Sequence, residues 1–222
     1  MPDFSGTDLT CLRGDRLVFR GLDFQVASGG ALLLTGPNGS GKSSLLRLMA
    51  GLLRPFSGQL AWNGEAIADE PDRHRARVHY VGHQDAVKPV LSALENLAFW
   101  AGLGGAPNPA AAAHGALASM GAAHVEAVPG RYLSAGQKRR LNLARLIAVR
   151  RPLWLLDEPT VALDRDGIHR LEAEMARHRS DGGIVVASTH AEIDLPCAVV
   201  LALDRFPAEG WDTDDAEDGD AW

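Results

Sequence analysis

Cysteine is scarce in this chain of 222 residues: Cys11 and Cys197 are the only two, far apart and without the spacing of metal ligands. That argues against a disulfide scaffold and for a reducing compartment. Long apolar runs are missing as well. The stretch 198–203 reaches six residues, against the roughly 20 that a membrane-spanning helix requires. No basic segment leading into an apolar core is visible in residues 1–12, so no signal peptide is read there and a cytoplasmic protein is expected. An excess of positive charge is absent too. The net charge is −6, from 22 Lys and Arg against 28 Asp and Glu. Residues 208–222 hold Glu209, Asp212, Asp214, Asp215, Glu217, Asp218 and Asp220, and no Lys or Arg. With those seven set aside, 22 bases face 21 acids. A near-neutral body offers no electrostatic footprint for nucleic acid, so no nucleic-acid partner is expected. The acidic stretch reads as a solvated, disordered tail, since a block of like charge cannot pack on itself.

What is present is an ordinary globular composition, 46% hydrophobic and 23% charged, long enough to bury a sizeable core. Short strands are expected at 22–27, Ala31–Thr35, 58–62 and 77–81, with Asn63-Gly64 as a hairpin turn. A helix is expected at 43–50, ended by Gly51. From about 91 to 150 the pattern turns helical. Ser92 followed by Glu95, and Ser134 followed by Gln137, are capping boxes, while Asn108-Pro109 starts a helix that Gly121 stops. Strands return at Leu153–Asp157, Ile184–Ser188 and 199–203, with Ile168, Leu171 and Met175 on one face of an intervening helix. This is an α/β core of parallel strands, covering residues 1–207, with a helical subdomain inserted at about 85–150.

Residues Gly36, Pro37, Asn38, Gly39, Ser40, Gly41, Lys42 and Ser43, followed by Ser44, fit a phosphate-binding loop between a strand and a helix. Glycines let backbone N–H groups turn onto phosphate oxygens, and the helix N-terminus adds its own free donors. Lys42 can neutralise the β- and γ-phosphates, and Ser43 offers a hydroxyl to Mg²⁺. The apolar strand Leu153–Asp157 runs into a second acid, Glu158. Acids at the end of a dry strand are costly unless used. At the carboxyl edge of a parallel sheet, Asp157 would help hold Mg²⁺ and Glu158 would orient and activate the attacking water.

The base-reading Asn-Lys-x-Asp motif of GTPases is absent. Instead Leu133-Ser134-Ala135-Gly136-Gln137 precedes Asp157, Gln84 follows strand 77–81, Ala162-Leu163-Asp164 follows the acids, and His190 follows Ile184–Ser188. This ordered set resembles the ATP-binding cassette (ABC) family over roughly residues 5–203. The resemblance implies a phosphate-loop NTPase of ABC type, with N-terminal antiparallel strands ahead of the parallel core. It implies ATP and Mg²⁺ as ligands and a homodimer closed through its ATP sites. Ser134, Ala135, Gly136 and Gln137 would contact the nucleotide held by the other copy, with Asp164 at the seam. His190 would steady the attacking water, and Gln84 would reach Mg²⁺. Ala135 departs from the glycine common at that position. Where family members often place an aromatic against adenine, this chain has Arg13, whose guanidinium can stack on a base.

Within the family, the stretches Arg13–Phe19, Gly82–Lys88, Leu94–Trp100 and Gly182–His190 resemble the ATPase subunit of the haem exporter of bacterial cytochrome c maturation. That implies a peripheral protein on the cytoplasmic face of the inner membrane, beneath integral membrane subunits. ATP would drive haem translocation or release of a haem-loaded chaperone. Beside the ATPase subunit of another small ABC transporter, two other readings stay open: a soluble ABC ATPase and a cassette without catalysis. The first lacks support from coiled-coil inserts or basic patches; the second conflicts with Lys42, Asp157, Glu158 and His190 being in place.

Overall fold

The computed structural model describes residues 3–14, 16–189 and 193–206. Two sheets organise the chain. Strands β1 (Asp3–Arg13), β2 (Arg16–Ala27), β4 (Ser57–Trp62) and β5 (Glu65–Ala66) form an antiparallel sheet in the order β2-β1-β4-β5. Strands β3 (Ala31–Thr35), β6 (Val78–Val81), β7 (Leu153–Asp157), β8 (Ile184–Ser188) and β9 (Val199–Ala202) form a parallel sheet in the order β6-β7-β8-β3-β9. The Asn63-Gly64 turn between β4 and β5 has both residues at positive φ, 55° and 80°, the twist that a two-residue hairpin needs.

Side-chain alternation divides the parallel sheet between two cores. On one face Leu32, Leu34, Leu153, Leu155 and Val186 pack on helix α1 (Lys42–Met49), which the antiparallel sheet covers from outside with Phe4, Phe19, Leu22 and Trp62. On the other face Trp154, Leu156, Val185 and Ala187 share one core with buried residues of the remaining large helices: α3 (Ala93–Leu103), α4 (Pro109–Ser119), α5 (Ala135–Ala148) and α6 (Arg165–Ser180). Helices α3 and α5 open on the two expected capping boxes, with Ser92 Oγ accepting from the Glu95 amide and Ser134 Oγ from the Gln137 amide, each at 3.2 Å. Asn108 caps α4, and Gly121 beyond it has φ 68°.

Several local expectations shift. The strand expected at 22–27 begins at Arg16, and the helix expected at 43–50 runs from Lys42 to Met49. Arg77 closes a short helix α2 (Pro71–Arg77), so the strand expected at 77–81 begins at Val78. Helix α5 stops at Ala148, not at 150, because Val149 is extended. The last strand ends at Ala202, and Leu203 opens a 3-10 turn. The acidic stretch 208–222 lies outside the described residues. Among the described residues no helix is long and apolar enough to cross a membrane.

The far end of the parallel sheet, where β6 and β7 begin, carries a buried polar tie. His79 is 8% exposed, and its Nε2 lies 2.7 Å from the Val149 carbonyl oxygen. Burial, followed by the neighbouring guanidinium groups of Arg151 and Arg145, outweighs that hydrogen bond and lowers its pKa from 6.5 to about 3. His178, stacked on Trp154 with ring centroids 4.0 Å apart, is lowered to about 4, chiefly by burial. Each ring binds a proton in the unfolded chain below pH 6.5 but resists it when folded. Their contribution to stability is therefore complete above that pH and lost as pH falls toward 4 and then 3. For His79, moving from pH 7 to pH 5 is expected to remove about 2 kcal/mol. Urea midpoints at the two pH values check this, and His79→Gln is expected to flatten the slope.

Candidate active site

The phosphate loop hangs between β3 and α1 at the carboxyl edge of the parallel sheet. Lys42 begins α1 and is 7% exposed; its Nζ donates to the carbonyls of Gly36 at 2.7 Å and Pro37 at 3.0 Å. The Ser40 amide also returns to Pro37 O, at 3.2 Å, closing the loop on itself. Gly41 has φ 100°, and a Cβ there would come within 2.6 Å of Val18 Cγ1 and 3.0 Å of Phe19 Cδ1. Only glycine permits both that backbone and that approach.

A cavity of about 410 Å³ opens beside the loop. Of the residues expected from the sequence, Arg13, Asn38, Gly39, Gly41, Lys42, Ser43, Ser44, Asp157 and Glu158 line it. Arg16 and His83 line it too, and neither was expected. Gly36, Pro37 and Ser40 form the base of the loop instead. Gln84 is exposed and does not line the cavity; its neighbour His83 does. His190 lies outside the described residues.

Strand β8 separates β3 from β7, and its last residue joins the two acids. Ser188 is fully buried, and its Oγ donates to Asp157 Oδ1 at 2.7 Å. The Glu158 amide donates to Ser188 O at 3.0 Å and reaches Ser188 Oγ at 3.3 Å. Glu158 itself sits at φ 48°, a left-handed conformation that costs a side-chain-bearing residue about 1–2 kcal/mol. Strain of that kind at a strand end persists only when its surroundings hold it. Here the holder is Arg139, from the second turn of α5. It is 4% exposed, and Nη2 donates to the carbonyls of Asp157 at 3.0 Å and Glu158 at 2.6 Å, while Nε reaches Pro159 O at 3.2 Å. Hydrogen bonds from a charged donor contribute about 1.5–3 kcal/mol each, enough to offset the strained turn. No sequence signal singled out Arg139 or Ser188: a cation in a helix and a serine in a strand are ordinary residues.

The second expected anion site stands apart. Ser134, Ala135, Gly136 and Gln137 do not line the cavity. Ser134 and Ala135 are exposed at the start of α5, where its free N–H groups point outward. The extra methyl of Ala135 therefore meets no buried neighbour. Gly136 does face a close neighbour: a Cβ there would lie 2.9 Å from the Ala162 carbonyl oxygen, so glycine brings α5 against the turn leading to Asp164. Asp164 caps α6, its Oδ1 accepting from the Gly167 amide at 2.9 Å, and pairs with Arg140. The Gly167 amide first, and the Arg140 guanidinium after it, hold the Asp164 carboxyl below its ordinary pKa. Arg140 also grips Asp166 at 3.0 Å and Met120 O at 2.7 Å, tying the ends of α4, α5 and α6 together.

A cradle of backbone amides, a cation, a helix-start hydroxyl and two acids around one cavity suits a nucleoside triphosphate. Ser43 and Asp157 bring hard oxygen donors to the same cavity, and Ser188 fixes the carboxylate, which fits Mg²⁺.

Known proteins share this arrangement. The ABC transporter family profile matches residues 19–161. The cytochrome c biogenesis ATP-binding export protein CcmA of Rhodospirillum rubrum is 61% identical over 203 residues, which cover 91% of this chain and 86% of that protein. Its namesake from Paramagnetospirillum magneticum is 59% identical over 205 residues, covering 91% and 94%. Among solved structures, a Pyrococcus furiosus ATP-binding protein assigned to the ABC transporters superposes with a TM-score of 0.80 at 25% identity, covering 92% of this chain and 98% of that one. The chain belongs to the ABC transporter family, among its cytochrome c biogenesis ATP-binding export proteins.

Proposed function

We propose that this chain is the ATP-hydrolysing motor subunit of the haem exporter that serves c-type cytochrome biogenesis. The observation that carries this is the 61% identity to the Rhodospirillum rubrum export protein across 91% of the chain, together with Lys42, Ser43, Asp157 and Glu158 around one cavity. The amides of the phosphate loop and Lys42 bind the triphosphate, and Arg13 or Arg16 stacks on the base at the cavity wall. Ser43 and Asp157 would hold Mg²⁺, with Gln84 completing the set on loop movement. The metal supplies neutralisation of the charge on the β- and γ-phosphates. Glu158 accepts a hydrogen bond from the attacking water and draws off its proton, and His190 steadies that water.

The exposed start of α5, which does not line the cavity of its own chain, supports a site completed by a second copy. Ser134, Ala135, Gly136 and Gln137 present a helix N-terminus away from their own nucleotide, so a second copy supplies them in trans, with Asp164 at the seam. Two copies closed in this way sit on the cytoplasmic face of the inner membrane under integral membrane subunits. Closure drives haem translocation or release of a haem-loaded chaperone.

Deleting the gene in its host tests the assignment. Loss of all c-type cytochromes, with haem synthesis intact and complementation by the wild-type gene, is the expected result. Normal c-type cytochromes alongside another transport defect would reassign the motor.

A further inference from the structure

We propose that Arg139 is the positioning residue for Glu158 and couples its turn to the loop that carries Gln84. This rests on the reading of Glu158 as the group that orients the attacking water. Three successive carbonyls, those of Asp157, Glu158 and Pro159, end at one buried guanidinium. They belong to the residues where the chain leaves β7 through the left-handed Glu158. The other edge of the same guanidinium faces the loop after β6. Its Nη1 donates to Gly82 O at 3.0 Å and reaches Asp85 Oδ1 at 3.5 Å, the residues that flank His83 and Gln84. Asp85 also accepts from Asn142 Nδ2 at 3.1 Å, one helical turn further along α5.

The planar fork of arginine is what this arrangement requires. Five donors in fixed directions span carbonyls on both sides, whereas a lysine ammonium places its three donors on one atom. Burial lowers the pKa of Arg139, with Asp85 the main charge acting against that, and arginine remains a cation in proteins. The helix that starts at Ser134 thus carries, one turn along, a cation bound to the turn of Glu158 and to the loop of Gln84. A tilt of α5 moves both together. Among the described residues, the hydrogen bonds of Arg139 go to the turn of Glu158 and the loop of Gln84 and not to the phosphate loop, so its effect is expected on the hydrolytic step more than on nucleotide capture.

The test uses the full chain, with affinity read from a fluorescent ATP analogue and turnover from phosphate release in MgATP. Arg139→Met is expected to slow turnover by about 10- to 100-fold, the scale of a 1 Å misplacement, with affinity within about threefold of wild type. Arg139→Lys is expected to recover part of the rate. In a Glu158→Gln background, Arg139→Met is expected to add nothing, because its effect passes through Glu158. A merely structural role would lower affinity and melting temperature together and would multiply on top of Glu158→Gln. Wild-type turnover in a folded Arg139→Met overturns the proposal. If the Met variant does not fold, the Lys variant decides: slower turnover at unchanged affinity supports the assignment, and unchanged turnover overturns it. A Glu158→Gln chain at wild-type rate removes Glu158 itself, whereas a slow Glu158→Gln with a fast Arg139→Met removes only the role given to Arg139.

Discussion

Glu158→Gln is expected to bind ATP as the wild type does and to lose about 10²–10⁴ in turnover. The substitution keeps side-chain length and removes the charge proposed to draw the proton from water. It also spares the surroundings, because Arg139 and Ser188 bind the backbone of residue 158, and those bonds do not depend on its side chain. The left-handed turn therefore persists, and the loss falls on chemistry. A nucleotide that is held and not cleaved also prolongs the closed state. Size-exclusion chromatography in MgATP is expected to show a dimer for the variant that wild type forms only briefly. A variant that hydrolyses at the wild-type rate would take Glu158 out of its role.

Lys42→Ala is expected to fail earlier, at capture. Its ammonium is buried against the carbonyls of Gly36 and Pro37, beside the cavity proposed to take the triphosphate. Truncation removes the buried cation at the proposed phosphate site and takes a donor from the carbonyls of Gly36 and Pro37, the second of which keeps the Ser40 amide. Losing one partner of a buried charged interaction costs about 2–4 kcal/mol, or roughly 30- to 1,000-fold in affinity. Fluorescent ATP titration checks the figure. Affinity within a few-fold of wild type would place the triphosphate elsewhere. The two variants separate the steps: the first binds and stalls, the second scarcely binds.

Where chemistry is written in local patterns, the sequence was readable. The two capping boxes formed as expected because each depends on residues three apart. Strands β3, β7 and β8 matched their expected limits because each is a largely buried run, apolar up to a last polar residue at the carboxyl edge. Strand β1 was missed because its pairing with β2 slips repeatedly between Gly6 and Leu12, which destroys a clean alternation. Helix α2 was missed because His74 is its only buried residue, so no apolar stripe marks it. In the site, most of the residues that line the cavity are legible from type and spacing. Those that hold the lining residues are not. Arg139 reaches carbonyls 18 to 20 positions away, and Ser188 reaches an acid 31 positions away. Such partners depend on strand order, which no local pattern records.

Strands β6 and β7 are neighbours in the sheet, yet residues 93–148 intervene between them. The helices therefore depart from the edge that carries the candidate cavity and return at the opposite margin. There the chain is pinned by His79 on the Val149 carbonyl and by Arg151 Nη1 on the Val78 carbonyl at 2.6 Å. These ties fix the margin of the sheet opposite the candidate cavity. On the proposed function, a rotation of α5 about them would move its start, at Ser134, more than its end beside Val149.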